Sequence, residues 1–127
     1  MKLEVGMYVR TNEGKITKLI EIDKYGFKRF DKLVDFTNYK IIKASHNIID
    51  LIEVGDYING YIVLEIIKDN LGKTYIECGC KDEIAHNYIY DTFYNEDIKS
   101  IVTKEQFEAM KYKIDYEGLW IKKKKNY

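Results

Sequence analysis

Serine, histidine and cysteine, the residues most used for nucleophilic and zinc chemistry, are few: two of each in 127 residues. Hydrolysis or acyl transfer needs a nucleophile, a base and an orienting group within hydrogen-bond reach of one another. Ser45 and His46 are adjacent in sequence, and neighbours on an extended strand face opposite ways, so they cannot pair as nucleophile and base. Gly55-Asp56-Tyr57-Ile58-Asn59-Gly60 has the glycine spacing of a phosphate-binding loop. Tyr61 and Ile62, however, stand where that loop requires a lysine and a hydroxyl residue, so the segment reads as a turn between strands. Cys78 and Cys80 would point the same way on a strand, with His86 close in sequence. Three ligands from one locus lack the second pair that a structural zinc site draws from elsewhere, and the cysteines read as reduced thiols. Asp82, Glu83, Asp91, Glu96 and Asp97 include carboxylates that could pair for acid–base work or magnesium, with solvated turns as the commoner reading. No catalytic residue, metal or cofactor is expected from these patterns, and the chain is read as a non-enzyme.

Side chains suited to binding are more abundant. Tyr88, Tyr90, Phe93 and Tyr94 crowd into seven positions, followed by Glu96 and Asp97. Each buried phenol needs a polar partner, so part of this group is expected at the surface, where tyrosine edged by acid suits a protein partner. The competing pattern is basic: Arg10, Lys15, Lys18, Lys28 and Arg29 interleave with Tyr8, Tyr25 and Phe27, as in small barrels that bind nucleic acid. Lys122, Lys123, Lys124 and Lys125, between Trp120 and Tyr127, extend that alternative into a basic tail over residues 115–127. Tyrosine faces with a few lysines leave open a third reading, a sponge for a nucleotide signal. Formal charge is segregated along the chain: +3 over residues 1–50, −7 over 51–110 and +4 over 111–127. An acidic middle disfavours a broad phosphate-binding face there and leaves the ends eligible.

The elements that must position these residues are mostly strands. Alternating apolar residues and β-branched or aromatic side chains run through the first hundred positions, broken at short intervals by turn sequences. LEVGMYVR, the turn TNEG and KITKLIEI read as a hairpin with Gly14 at positive φ; DKYG makes a second turn, and GYIVLEII, DNLG and KTYIECG make a longer hairpin. Residues 81–94 fit helix or strand, with strand favoured for 88–94. Leu3-Glu4-Val5-Gly6-Met7-Tyr8-Val9 aligns without a gap on Ile52-Glu53-Val54-Gly55-Asp56-Tyr57-Ile58, which points to two related units, 1–47 and 48–114. One helix is well signposted. Thr103-Lys-Glu-Gln106 is a capping box, and Val102 and Phe107 occupy the positions of a hydrophobic staple. At about two turns this helix needs a sheet to pack on.

The expected fold is therefore all-β or β-dominated, a compact body over 1–114 made of one or two small SH3-like barrels of meander type, with one short C-terminal helix. A chain of this length buries roughly two thirds of its unfolded surface without staples. The two cysteines, no apolar run of membrane-spanning length and an N-terminus without an apolar signal region lead to the expectation of a cytoplasmic protein with no membrane partner. Nineteen isoleucines and nineteen lysines against two arginines, with no proline, look like the product of an AT-rich genome. Two blocks, HNIIDLIEVGDYINGY and NEDIKSIVTKEQFEAMKYKI, resemble small uncharacterised phage and prophage proteins of low-GC Gram-positive bacteria, over roughly residues 1–114. The resemblance implies a setting rather than a chemistry: an accessory protein that binds and inhibits a host protein in the host cytosol, such as a counter-defence (anti-CRISPR-like) inhibitor.

Overall fold

The computed structural model describes residues 2–31, 40–82, 84 and 87–110. Its described residues are dominated by strands in two antiparallel sheets. The strands are β1 (Tyr8–Thr11), β2 (Ile16–Ile22), β3 (Lys28–Phe30), β4 (Ile41–Ser45), β5 (Tyr57–Ile58), β6 (Tyr61–Lys68), β7 (Thr74–Asp82), β8 (Asn87–Tyr94) and β9 (Ile101–Val102). Short 3-10 turns follow β4 (Ile48–Leu51) and precede β9 (Asn95–Asp97), and residues 104–110 form a helix, α1.

Turn chemistry builds the meanders. Thr11–Lys15, Asp23–Phe27 and Asp69–Lys73 close in the same way. In each, the first residue exchanges backbone bonds with the fourth and fifth, and its side-chain oxygen accepts the amide of the fifth. The fourth residue is a glycine at φ +80° to +87°, a region that costs other residues strain. Between β5 and β6 the turn has two residues, Asn59 and Gly60, both at positive φ as a tight hairpin of matching twist requires. The segment spaced like a phosphate loop is thus a turn that leads into a hairpin.

The two aligned heptapeptides form the same entry to a sheet. Gly6 and Gly55 sit at φ +94° and +97°. Their amides donate to Leu19 and Val63, the next residues donate to Glu4 and Glu53, and Met7 and Asp56 accept from Leu19 and Val63. The first sheet runs β3-β2-β1-β4 and the second β8-β7-β6-β5-β9. In the second, a four-strand meander is followed by a 3-10 turn and a last strand that pairs with the first, which agrees with the small β-barrel of meander type expected from the sequence.

A register shift between Val63 and Glu65 puts Val63, Ile66, Ile76, Cys78 and Phe93 on one face and Glu65, Ile67, Tyr75, Glu77, Thr92 and Tyr94 on the other. Val63, Ile76, Cys78 and Phe93 of the first face form the core with Ile49, Ile52 and Ile58, while Ile66 is 38% exposed. α1 caps itself as its sequence requires: the Thr103 amide donates to Gln106 Oε1 (3.1 Å) and the Gln106 amide to Thr103 Oγ1 (3.3 Å). Phe107 packs on Tyr57, ring centroids 4.5 Å apart, so α1 covers the β5 end of the second sheet's outer face. Among the described residues no helix is long and apolar enough to cross a membrane.

Candidate functional site

Among the described residues, one heavily bonded side chain is one that sequence reasoning assigned to phosphate contact. Arg10 lies on the β1 face opposite Val9, is 0% exposed, and cannot touch a nucleic acid. Its guanidinium donates to Asp56 Oδ1 (3.0 Å) and Oδ2, to the Leu51 carbonyl (3.0 Å) and to Glu105 Oε2 (2.7 Å). Asp56 is equally buried and accepts in addition from the amides of Glu53 (2.7 Å) and Lys104 (2.9 Å), the second at the start of α1. Glu53 binds Lys43 (3.2 Å) and Lys104 (2.7 Å) around this pair. Burial works against the Arg10 charge, but the Asp56 hydrogen bonds and the fields of Asp56, Glu53 and Glu105 outweigh it and hold its pKa above the ordinary value. Burial likewise opposes ionisation of Glu53, and the Lys104 and Lys43 bonds with the Arg10 charge still leave its pKa below the ordinary one. Arg10 and Asp56 are fully buried, Glu53 and Glu105 are partly exposed around them, Lys43 and Lys104 reach solvent, and the buried Arg10 Nε makes no hydrogen bond and lies 3.7 Å from Glu53 Oε2. The cluster joins the first sheet, the second unit and α1, and offers no open position to a substrate.

The rest of the basic pattern is dispersed. Arg29 is exposed but clamped on Glu21 through Nε (3.0 Å) and Nη2 (2.8 Å), and Lys18 lies over the Tyr8 ring at 5.5 Å. Lys15 is half-buried beside the Thr11 turn, and Lys28 is exposed at the start of β3, near the exposed Tyr25 and Phe27. Lys122, Lys123, Lys124 and Lys125 lie outside the described residues, as do Glu83, His86 and Trp120.

The tyrosine-rich segment is a strand, and the strand sorts its members. Phe93 corrects the expectation of exposure: it pairs with Ile76 on the core face, is 9% exposed, and packs on Tyr61. Tyr94 and Tyr90 fall on the outer face, as their even spacing dictates, and Tyr90 is 66% exposed opposite Gly79. The backbone of Tyr88 pairs with Lys81. Tyr94 stacks on Tyr75 (5.5 Å between centroids), with Lys73 Nζ 4.7 Å over its ring. Glu96 is exposed and meets Lys73 at 3.4 Å, whereas Asp97 accepts the Tyr94 amide (2.9 Å) and so closes the 3-10 turn. Between these tyrosines lies a pair that sequence reasoning missed: Glu65 and Glu77 stand directly opposite each other in register, both exposed, with Thr92 beside them. The register shift at Val63/Glu65 hides this pairing from simple alternation.

Ser45, His46 and Cys78 have structural roles or surroundings of their own. Ser45 donates to Asp50 (2.6 Å), while His46 turns to Glu4 (3.0 Å) at the surface. Cys78 is buried in the core, where burial and the nearby Asp91 push its thiol up to about 11, far from a reactive thiolate. A polar cleft of about 410 Å³ is lined by Lys68, Lys73, Asp50 and Glu96, among others. Its acids match its lysines, which gives a nucleotide no electrostatic preference. Comparison of the chain with family models, with curated proteins and with solved structures gives no match.

Proposed function

We propose that this chain is a non-catalytic binding protein that docks the outer face of β6, β7 and β8 onto a basic patch of a host protein and blocks it stoichiometrically, as a phage or prophage accessory protein would. The observation that carries this reading is the Glu65–Glu77 pair, set between the Tyr75–Tyr94 stack and Tyr90 on a sheet face. Like charges directly opposite in a sheet cost about 0.2–1 kcal/mol in the free protein. A partner's lysines or arginines would relieve that cost, and the rigid aromatic rings on either side would supply contact area. The acidic balance of residues 51–110 favours a basic partner in the same sense.

The test is capture from lysate of a low-GC Gram-positive host, read by native mass spectrometry, with wild-type protein and the E65K/E77K double variant. A partner held at fixed stoichiometry by the wild type, and at least about tenfold more weakly by the variant, is the expected result. Equal capture by both, or no stoichiometric partner, overturns the reading.

A further inference from the structure

We propose that the polar cleft at the β6–β7 turn binds a small zwitterion, a free α-amino acid or a dipeptide, with its carboxylate held by Lys68 and its ammonium by Asp50. This rests on the cleft alone and is independent of the outer-face reading above.

The sheet sets one wall. Ile66 and Ile76 are cross-strand partners on the core face, and Lys68 and Thr74, the next pair of that face towards the turn, are partners in the same register. An amine and a hydroxyl therefore follow the last apolar pair on the side where the core lies. Across the cleft stand the two 3-10 turns: Asp50 comes from Ile48–Leu51, and Asn95 and Glu96 come from Asn95–Asp97, with Lys73 at the β6–β7 turn. Asn95 Oδ1 accepts the Ile49 amide (3.0 Å), so the two turns are tied to each other and form one wall.

Charge selects the ligand. Lys73 and Glu96 meet at 3.4 Å and cancel each other. Asp50 accepts the Ser45 hydroxyl on Oδ2 (2.6 Å), which orients the carboxylate and leaves Oδ1 to a ligand. Lys68 and Asp50 line the same cleft, yet among the described residues neither forms an ion pair, with the other or with a third group. Opposite charges that share a cleft without meeting favour a guest that carries both. A lone anion gains Lys68 and is repelled by Asp50, a lone cation meets the reverse, and the lining as a whole is neutral. The Thr74 hydroxyl, cross-strand neighbour of Lys68, supplies a second donor to the carboxylate. A volume of about 410 Å³ stands near the lower end of ligand pockets, roughly 300–1,000 Å³, which suits a molecule of this size.

The test is a proton–nitrogen chemical-shift titration of the full chain with alanine, dialanine, N-acetylalanine and alaninamide at equal ionic strength. Alanine or dialanine should shift the amides of Ile49, Asp50, Gly72 and Thr74 with a Kd of about 1 mM or below, at least about tenfold tighter than either singly charged analogue. The tighter of the two zwitterions distinguishes a free amino acid from a peptide as the guest. Lys68→Met should reduce the zwitterion to the affinity of alaninamide, and Asp50→Asn should reduce it to that of N-acetylalanine. Both side chains are exposed, and each variant's own spectrum reports that its fold is kept. No shift at the cleft with either zwitterion up to about 10 mM, equal affinity for a zwitterion and a singly charged analogue, or a zwitterion affinity unchanged by Lys68→Met overturns the proposal.

Discussion

Arg10 and Asp56 come from segments 46 residues apart, and together they satisfy the start of α1, the Leu51 carbonyl and the heptapeptide turn at Glu53. Removing one partner strands a buried charge, so Arg10→Met should lower stability by about 3–5 kcal/mol. The double variant Arg10→Met/Asp56→Leu should cost clearly less than the sum of the single changes, as a denaturation double-mutant cycle would show. Glu53 gives the cluster a pH dependence. Its folded pKa lies below its unfolded one, so its contribution is full above the unfolded value near 4.5 and is lost as pH falls through the folded value. Urea unfolding of the wild type should therefore lose more stability than Glu53→Gln between about pH 5 and about pH 3. Cys78 behaves in the opposite direction on the basic side. Its raised pKa protects the thiol at neutral pH, and mass spectrometry after alkylation should find Cys78 unmodified until the protein is unfolded. Nothing in the sequence at Arg10 distinguishes a buried ion-pair residue from a surface cation. Its alternation on β1 leaves both faces open, and the partner that decides is distant in the chain.

Elements were more legible, because turns and caps are local. TNEG, DKYG and DNLG each close a hairpin with glycine at positive φ, and Thr103 with Gln106 caps α1 as the spacing demands. Gly14 has a second duty. A Cβ there would lie 2.3 Å from Thr103 Oγ1, which donates to the Gly14 carbonyl (2.7 Å), so the first hairpin seats directly on the start of α1. Gly26 has the same φ sign and open space around it. Gly14→Ala should thus cost several-fold more stability than Gly26→Ala in thermal denaturation, the difference reporting the contact rather than the φ. In the second sheet, Glu77→Lys turns an opposed like-charge pair into an attractive one and should raise stability by about 0.2–1 kcal/mol while weakening partner capture. The segment read as helix or strand, with strand favoured for 88–94, forms β8 over residues 87–94, where each residue has a partner on β7.

At the scale of the molecule, the Arg10 cluster and the Gly14–Thr103 contact join the first sheet to the second unit. Hydrogen exchange should accordingly find the protected amides of β1–β2 and β6–β7 opening with one common free energy, and Arg10→Met should lower that of the first sheet selectively. The sequence by itself determined the fold class, the hairpins, the helix cap and the repeated heptapeptide turn, since each follows from backbone preferences and side-chain periods within a few residues. Tertiary structure alone decided which polar residues serve the interior: it took Arg10 from the surface and Phe93 into the core. It also brought Glu65 against Glu77 and left β8 as the long outer strand. The physical reason is that burial, cross-strand register and edge position are properties of pairs distant in the chain, fixed by a bulge at Val63/Glu65 and by the order of strands, which no local window contains.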